Sequence, residues 1–334
     1  MGKNGGIYGK NLQGNIVKTA IITGVSGQDG AYLAELLLKK NYVVIGTLRG
    51  YRNINYKNFE YLGIQDRIKF DELDLLDITN IIRIFQKYKP DEIYNLAAQS
   101  SVGLSYEQPI GTFEFNTSSV NNLLETIRLI SPDTKMYQAS SSEMYGATYM
   151  PINLHTPMHP TSPYGISKAS SYLMTKVYRE SYGVFVSNGI LFNHESFLRS
   201  DNFFIKKVIR NAISIKRGLS NVLKIGNIDI KRDFGFAPRY VEAMWQMMQL
   251  NTPDDFIICS GVSIKLRDII EYVFDKMGIS KNMIVEDKNL FRPNEIYDIY
   301  GDNSKAKEVL NWEYNYSFYD ILDILIDEEI NSGR

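Results

Sequence analysis

The sequence predicts an α/β protein in which a doubly wound parallel sheet is combined with a smaller α/β C-terminal lobe. Up to Leu191, short apolar runs alternate with stretches of helical periodicity, as expected for parallel strands that are buried on both faces. The chain has 334 residues, of which 44% are hydrophobic, so it can bury a sizeable core. Beyond Phe192 the pattern loosens into helices separated by short strands, and we place the lobe there.

The elements of the main sheet follow in order along the chain. Strands are predicted near 18–23, 42–48, 68–72, 91–96, 133–138 and 184–191, with helices near 29–40, 78–88, 115–130 and 164–181. Helices of the lobe are predicted near 202–217, 237–249, 265–277 and 317–331. We therefore divide the chain into a polar N-terminal arm (1–17), a main α/β domain (18–193, with 233–255 returning to it) and a lobe (194–232 and 256–334).

Composition excludes several classes of protein. The net charge of −1 gives no bulk attraction to nucleic acid or to a membrane surface. No apolar run approaches the roughly 18 residues of a membrane span, and the first 17 residues are too polar for a signal peptide. The single cysteine, Cys259, rules out an internal disulfide and suits a cytoplasmic protein. The histidines lack Cys or acidic partners at ligand spacing, so no metal site is predicted.

The first strand runs into a glycine-rich turn and then a helix. This turn, Gly24-Val25-Ser26-Gly27-Gln28-Asp29-Gly30, places glycines where a tight bend, a close backbone approach and helix–sheet packing are needed. The helix N-terminus then faces the pyrophosphate of a dinucleotide. The second strand ends in Arg49 rather than an acidic residue. A guanidinium there can pair with a 2′-phosphate, so we predict NADP in preference to NAD.

Tyr164 and Lys168 stand four residues apart in a predicted helix and therefore share one face. We expect the Lys168 ammonium to lower the pKa of the Tyr164 phenol, so that a phenolate can accept an alcohol proton while a hydride leaves for a nicotinamide. Together with the glycine spacing, the Leu96-Ala97-Ala98 strand end and Asp74-Leu75 after the third strand, this pattern resembles the extended short-chain dehydrogenase/reductase family. The resemblance implies a Rossmann domain and assigns all of these residues to the cofactor site.

A carboxylate, Glu143, lies upstream in the Ser-rich segment Ser140-Ser141-Ser142-Glu143. Once a sugar carries a ketone at C4, its C5 proton becomes acidic, and Glu143 can remove it while the C6 hydroxyl leaves as water. Ser141 would donate a hydrogen bond to the C4 oxygen. The sequence thus provides one base for alcohol oxidation and a second for carbon deprotonation. A structural N-cap or salt bridge is the alternative for Glu143.

Motifs in the lobe narrow the resemblance to the GDP-mannose 4,6-dehydratase branch. They include Asn193-His194-Glu195-Ser196, the segment 226–235, Tyr240-Val241-Glu242-Ala243 and Arg292-Pro293-Asn294-Glu295. The resemblance implies that a GDP-sugar is bound by Ser100, Asn193, Lys207, Arg232, Arg292 and Glu295. Arginine and lysine suit the diphosphate, and Glu295 suits the guanine donors. Lobe-interface salt bridges are the alternative for these charges. A homodimer or homotetramer is implied, and a dimer packing the helices near 115–130 and 164–181 is favoured.

Departures from the family pattern leave the sugar open. The family has a threonine where this chain has Ser141 and a histidine where it has Ser101. At 197–200 the family has Pro-Arg-Arg-Gly, whereas this chain has Phe197-Leu198-Arg199-Ser200. GDP-manno-heptose is therefore an alternative to GDP-mannose. A nucleotide-sugar decarboxylase or epimerase and a catalytically silent NADP-sensing protein are the other hypotheses.

Overall fold

The computed structural model describes residues 17–50, 56–148 and 150–332. The N-terminal arm predicted at 1–17 lies outside these ranges apart from Val17. The described helices are α1 (Gln28–Lys39), α2 (Lys57–Leu62), α3 (Ile78–Tyr88), α4 (Val102–Glu107), α5 (Pro109–Ile130), α6 (Pro163–Tyr182), α7 (Phe204–Lys216), α8 (Ala237–Met248), α9 (Leu266–Met277), α10 (Ser304–Leu310) and α11 (Phe318–Asn331). In these ranges, no helix combines the length and apolar character needed to cross a bilayer.

A seven-stranded parallel sheet forms the centre of the molecule. Its strands are β1 (Thr19–Thr23), β2 (Val43–Leu48), β3 (Lys69–Glu72), β4 (Glu92–Asn95), β5 (Lys135–Ser141), β6 (Val186–Leu191) and β10 (Phe256–Ile258). They lie in the order β10-β6-β5-β4-β1-β2-β3. The order reverses between β1 and β4, which is the topological switch point where ligands bind in open α/β sheets. The predicted fold class is confirmed.

Neighbouring strand residues point to opposite faces of this sheet, and both faces are covered. Ile21 of β1 packs with helices α3 and α5 on one face, whereas Ile22 packs with α1 and α8 on the other. Both side chains are fully buried. This two-sided burial explains the continuous apolar runs in the sequence.

A smaller lobe is built on two short sheets. One contains β11 (Ser263–Lys265), β9 (Lys231–Phe236) and β7 (Asn193–Glu195) in that order, and the other pairs β12 (Ile284–Glu286) with β8 (Leu223–Ile225). Helices α7, α9 and α11 pack against one another in this lobe. Because β7 follows β6 after a single residue, the lobe begins beside the carboxyl edge of the main sheet.

One strand belongs to a different domain from the one that the sequence predicts. We assigned residues 256–334 to the lobe, but Phe256–Ile258 pairs with β6 in the main sheet. Its three residues are too few to show a strand period, and its partner lies far away in the sequence. Helix α8 packs on α1, beneath the same sheet. The other domain boundaries stay predictions.

Two element ends also differ from their predicted positions. Helix α5 begins at Pro109, not near residue 115, because proline is favoured in the first helical turn and does not interrupt a helix there. Strand β5 continues to Ser141, three residues beyond its predicted end. This extension places the Ser-rich segment directly at the carboxyl edge of the sheet.

Candidate active site

The turn after β1 forms one wall of a cleft at the carboxyl edge of the main sheet. Gly24 has a φ of +67°, and a Cβ there would lie 2.9 Å from the backbone nitrogen of Ala97. A Cβ at Gly30 would lie 2.5 Å from the Gly24 carbonyl oxygen, so α1 packs directly on the turn. Gly27 is exposed at the start of α1. Packing therefore requires the first and third glycines, and the second leaves the backbone open to an anion.

A cavity of about 630 Å³ extends from this turn across the ends of β1, β2 and β4 to the start of α5. It lies at the topological switch point and is large enough for part of a dinucleotide. Its lining includes Thr23, Gly24, Ser26, Thr47, Leu48, Arg49, Leu73, Leu75, Leu76, Ala97, Ala98, Gln99, Gln108, Gly111, Thr112, Glu114 and Phe115. The structure thus brings together Gly24, Arg49, Leu75, Ala97 and Ala98, which the sequence assigned to one site.

Arg49 and the segment after β3 form the outer end of this cavity. The exposed Arg49 guanidinium stacks on the Phe115 ring of α5, with 4.8 Å between its carbon and the ring centroid. Asp74 directs its carboxylate at its own turn, where it accepts the Leu76 N–H at 3.0 Å. Asp74 therefore shapes the segment, while the neighbouring Leu75 lines the cavity.

Hydrogen bonds hold the floor of the cleft, and the sequence analysis missed the residues that make them. The Thr23 hydroxyl accepts the N–H groups of Leu96 and Ala97, both at 3.1 Å. Asn116 of α5 accepts the Gln99 N–H at 2.9 Å and donates to the Ser167 hydroxyl of α6 at 3.0 Å. Because these residues lie on separate elements far apart in the sequence, only the fold reveals that they meet.

Ser141, Glu143, Tyr164 and Lys168 meet on the other side of the cleft. Ser141 ends β5, and its hydroxyl accepts the Glu143 N–H at 3.2 Å. The same hydroxyl hydrogen-bonds with the Tyr164 phenol. Tyr164 lies in the first turn of α6, which Ser162 caps by accepting the Gly165 N–H at 3.0 Å. The Ser141 hydroxyl therefore contacts the backbone of Glu143 and the phenol of Tyr164, and the Glu143 carboxylate is close enough for its negative charge to raise the pKa of that phenol.

The electrostatics of Tyr164 differ from our expectation. Burial raises its pKa to about 12, against a lowering contribution from the Ser141 hydrogen bond. Lys168 donates to the Ala139 carbonyl oxygen at 2.9 Å, and its Nζ lies 5.8 Å from the centre of the Tyr164 ring. Burial also lowers the pKa of Lys168 to about 8. The prediction that Lys168 lowers the pKa of Tyr164 is therefore wrong for this structure, because desolvation dominates.

Arg292 reaches Glu143 from the lobe. Its Nη1 lies 3.8 Å from the Glu143 Oε1, and its side chain is 38% exposed whereas that of Glu143 is 14% exposed. The loop that carries Arg292 lies alongside β9, since Lys231 donates its N–H to the Tyr297 carbonyl at 2.7 Å. A cation of the lobe thus faces the carboxylate of the main domain across the cleft.

Arg232 and Glu295 are engaged with each other. The buried Arg232 guanidinium donates to the Ile296 carbonyl at 2.6 Å and to Glu295 Oε1 at 3.3 Å. Two of its donors are therefore used to hold the loop of residues 292–297. An arginine has five N–H donors, so direct contact of Arg232 with the substrate stays a prediction.

The remaining predicted substrate residues lie on three different elements. Asn193 begins β7 and is half-buried beside Phe234 of β9. Ser100 is exposed after β4, and Lys207 is half-buried on α7. Their contacts with a ligand stay predictions.

The side chains of Gln28 and Asp29 do not point into the cofactor cavity. Gln28 Nε2 donates to the His194 carbonyl at 3.1 Å, and Asp29 Oδ2 lies 2.8 Å from His194 Nε2. Their assignment to the cofactor site stays a prediction, which these side-chain contacts leave to the backbone N–H groups at the start of α1. Both residues connect the glycine-rich turn to β7.

Within the described residues, no group of three His, Cys, Asp or Glu side chains is placed to hold a metal ion. Cys259 is a buried thiol, and burial raises its pKa well above the ordinary value.

Known structures share this fold at low sequence identity. A dTDP-glucose 4,6-dehydratase from Streptomyces venezuelae, solved with NAD, superposes with a TM-score of 0.85 over 94% of this chain and 98% of that chain, at 20% identity. A UDP-glucose 4-epimerase from Thermotoga maritima gives a TM-score of 0.84 over 95% and 100%, at 22% identity.

Sequence relationships are closer. The family model of GDP-mannose 4,6 dehydratase matches residues 21–325. GDP-mannose 4,6 dehydratase 1 of Arabidopsis thaliana is 41% identical, covering 95% of this chain and 91% of the relative. The Sinorhizobium fredii enzyme is 39% identical over 95% and 98%, and the Cricetulus griseus enzyme 37% identical over 98% and 95%. This chain therefore belongs to the GDP-mannose 4,6-dehydratase family.

Proposed function

We propose that this protein is a hydro-lyase that converts GDP-mannose to GDP-4-keto-6-deoxymannose with loss of water. The observation that carries the proposal is that the Ser141 hydroxyl contacts both the backbone N–H of Glu143 and the Tyr164 phenol, with the Glu143 carboxylate close enough for its charge to raise the pKa of that phenol. Both groups can then act on adjacent carbons of one sugar ring. A simple oxidoreductase needs the phenol but not the carboxylate.

Each side chain has a distinct task in this reaction. Tyr164 accepts the proton of the C4 hydroxyl. A nicotinamide cofactor held against the glycine-rich turn at Gly24 and Gly27 would supply the acceptor for the C4 hydride and the hydride donor to C6. Glu143 removes the C5 proton, which the C4 ketone has made acidic, and returns a proton to the departing C6 hydroxyl. Ser141 donates to the C4 oxygen and stabilises its developing negative charge. Atoms balance when the proton taken by Tyr164 passes to C5, because the substrate has then lost one water, and Tyr164, Glu143 and the cofactor have regained their starting states.

The lobe supplies the nucleotide contacts. Arg292 is partly exposed and lies 3.8 Å from Glu143, and its guanidinium suits a diphosphate by charge-assisted hydrogen bonds. Glu295 is held by Arg232 and suits the guanine donors. Arg232 acts here by fixing the loop that carries both residues.

The test is incubation of the purified protein with GDP-mannose and NADP⁺, followed by mass spectrometry of the nucleotide sugar. We expect a product lighter by one water. Conversion of GDP-manno-heptose alone would show that the sugar is wrong, and no dehydrated product from any GDP-sugar would refute the proposal. Thermal stabilisation by UDP but not GDP would favour a uridine-dependent decarboxylase or epimerase instead.

The proposed cofactor is NADP rather than NAD. The fit is carried by the cradle at Gly24 and Gly27, where a side chain would collide or intrude, and by Arg49 at the rim of the cavity. Substituting Arg49→Ala should weaken NADP⁺ binding about tenfold, because one charge-assisted hydrogen bond to the 2′-phosphate is lost. Calorimetric titration with NAD⁺ is the control, since NAD⁺ lacks this phosphate and should bind unchanged. Equal losses for both dinucleotides would contradict the assignment.

A homodimer through α5 and α6 is the proposed assembly. Ile166, Leu173 and Val177 lie along one face of α6 and are exposed, with Leu173 at 55%. A contiguous apolar stripe of this kind marks a protein–protein interface. The loop from Gly50 to Tyr56 lacks the Arg-Arg-Ser-Ser run that is associated with tetramers in this family, so we favour the dimer; residues 51–55 of that loop lie outside the described residues. A cytoplasmic location stays a prediction from the single cysteine and the polar N-terminus.

The dimer is tested by Leu173→Asp. A buried, unpaired carboxylate at the centre of the stripe is costly, so we expect the monomer in sedimentation velocity. Leu219→Asp, at an exposed leucine in the turn after α7, is the matched control and should leave the assembly unchanged. A wild-type protein that sediments as a monomer would refute the interface.

A further inference from the structure

A polar network connects the first turn of α1 to β7 and the residues that follow it. Besides the contacts of Gln28 and Asp29 with His194, the Ser196 hydroxyl donates to Gln28 Oε1 at 2.7 Å. Gln28 Nε2 also donates to Asp29 Oδ1 at 3.0 Å. We name Gln28, Asp29, His194 and Ser196 the α1–β7 clamp.

Both ring nitrogens of His194 face acceptors. Nδ1 lies 2.7 Å from the Phe192 carbonyl oxygen, which can only accept, so Nδ1 carries a hydrogen. Nε2 lies 2.8 Å from a carboxylate oxygen of Asp29, which also accepts when ionised. Nε2 can donate to this carboxylate only if it also carries a hydrogen. Both contacts are therefore hydrogen bonds only when the imidazole of His194 and the carboxylate of Asp29 share one proton more than a neutral imidazole has. An imidazole is more basic than a carboxyl group, so this proton resides on His194. Although burial opposes it, the interaction with His194 lowers the pKa of Asp29.

The surroundings of this pair contain further ionisable groups. Arg199 follows β7 and pairs with the buried Glu195 at 3.5 Å, and burial raises the pKa of Glu195. The ring of Tyr240 from α8 stacks on His194 with 4.5 Å between centroids. Tyr137 of β5 and Tyr164 of α6 face Asp29 as phenols whose pKa burial raises. Asp29 is therefore the counter-charge of the His194 imidazolium.

We propose that His194 is a positioning residue that works as an imidazolium, locking the anion-facing end of α1 to the strand that begins with Asn193. The clamp joins the dinucleotide side of the cleft to its sugar side. The protonated state follows from the contacts within the chain alone, whereas its effect on ligand binding rests on the proposed cofactor. The first two experiments test the protonated state of His194, and the third tests its effect on dinucleotide binding.

The first experiment reads the protonation of His194 without any ligand. The sequence contains only two other histidines, His155 and His159, and both are exposed. In ¹⁵N NMR of the histidine-labelled protein at neutral pH, we expect both ring nitrogens of His194 to carry hydrogens, because both face acceptors, and the resonances of His155 and His159 serve as internal references. A His194 ring with one unprotonated nitrogen at neutral pH would overturn the proposal.

The second experiment replaces the acceptor. In Asp29→Asn, the amide can donate to the unprotonated Nε2 of a neutral His194, so the contact survives without the extra proton. In the wild type, the contact with Asp29 requires a proton that the folded state binds and the unfolded chain does not hold in this way, so raising the pH should lower the stability of the wild type. The folding constant should fall by up to about tenfold per pH unit relative to Asp29→Asn. Parallel pH profiles of the two proteins would count against the imidazolium.

The third experiment measures binding of NADP⁺ by calorimetry. Asp29→Ala and His194→Phe each break the clamp, and we expect about tenfold weaker binding, while Asp29→Asn retains near wild-type affinity. The double variant should bind no more weakly than either single variant, because the two residues act through one contact. Additive losses, or unchanged binding in both single variants, would overturn the positioning role. If wild type binds no dinucleotide, the proposed cofactor fails, and the NMR result still decides the protonation of His194.

Discussion

Tyr164→Phe should lower kcat by about 10²–10⁴-fold, the usual contribution of a positioned acid–base group. The substitution removes the phenolic oxygen that accepts the C4 hydroxyl proton and keeps the ring that packs at the start of α6. Without this acceptor, the C4 hydride cannot leave, so neither reduced nicotinamide nor dehydrated product should accumulate. The measurement is a single-turnover reaction with GDP-mannose in which both species are quantified.

A matched control lies at the other end of the same helix. Tyr182 is 54% exposed, and Tyr182→Phe should leave the rate unchanged. The melting temperature of Tyr164→Phe should stay near that of wild type, since only one hydroxyl group is removed. A Tyr164→Phe protein that retains activity within tenfold of wild type would show that the alcohol proton is taken by another group.

Glu143→Gln should separate oxidation from elimination. The glutamine amide has nearly the shape of the carboxylate but cannot accept the C5 proton, so the 4-keto sugar and reduced nicotinamide should persist on the enzyme. Turnover should fall by about 10²–10⁴-fold. Oxidation should continue because Tyr164 and Ser141 are unchanged.

Solvent isotope incorporation gives the clearest measurement of this second step. In deuterated water the wild-type product should carry deuterium at C5, whereas Glu143→Gln should not exchange that position. Glu180→Gln, an exposed residue on α6, is the control. Normal turnover of Glu143→Gln, or C5 exchange at the wild-type rate, would assign the carbon base to a different residue. Arg292 lies 3.8 Å from Glu143, so Glu143→Gln also removes one charge pair. Arg292→Ala removes the same pair, and its melting temperature shows how much the loss of the pair alone changes the stability.

Much of this site could be predicted from local patterns in the sequence. The glycine spacing at 24–30 is visible in the sequence because a backbone conformation at Gly24 and close packing at Gly30 each exclude a side chain. The i,i+4 spacing of Tyr164 and Lys168 follows from helix geometry, and the strand periods of the main sheet follow from two-sided burial. Such features depend on residues near one another in the chain, so they can be predicted from it.

Charges paired across the fold could not be predicted in this way. Whether Arg232 binds a ligand or the Ile296 carbonyl depends on residues about sixty positions apart, and the chain alone does not show which contact forms. The same holds for Asp29, whose partner His194 lies on a different element.

The sequence by itself determined the α/β class, the order of the main-sheet elements and the presence of a phenol, a lysine and a carboxylate with dehydratase spacing. Only the tertiary structure decided that Phe256–Ile258 completes the sheet, that burial outweighs Lys168 in setting the pKa of Tyr164, and that Asp29 faces His194. The physical reason is the separation along the chain of the residues that interact. Backbone propensity and periodicity act over a few residues, whereas desolvation and charge pairing depend on which distant segments the fold brings into contact.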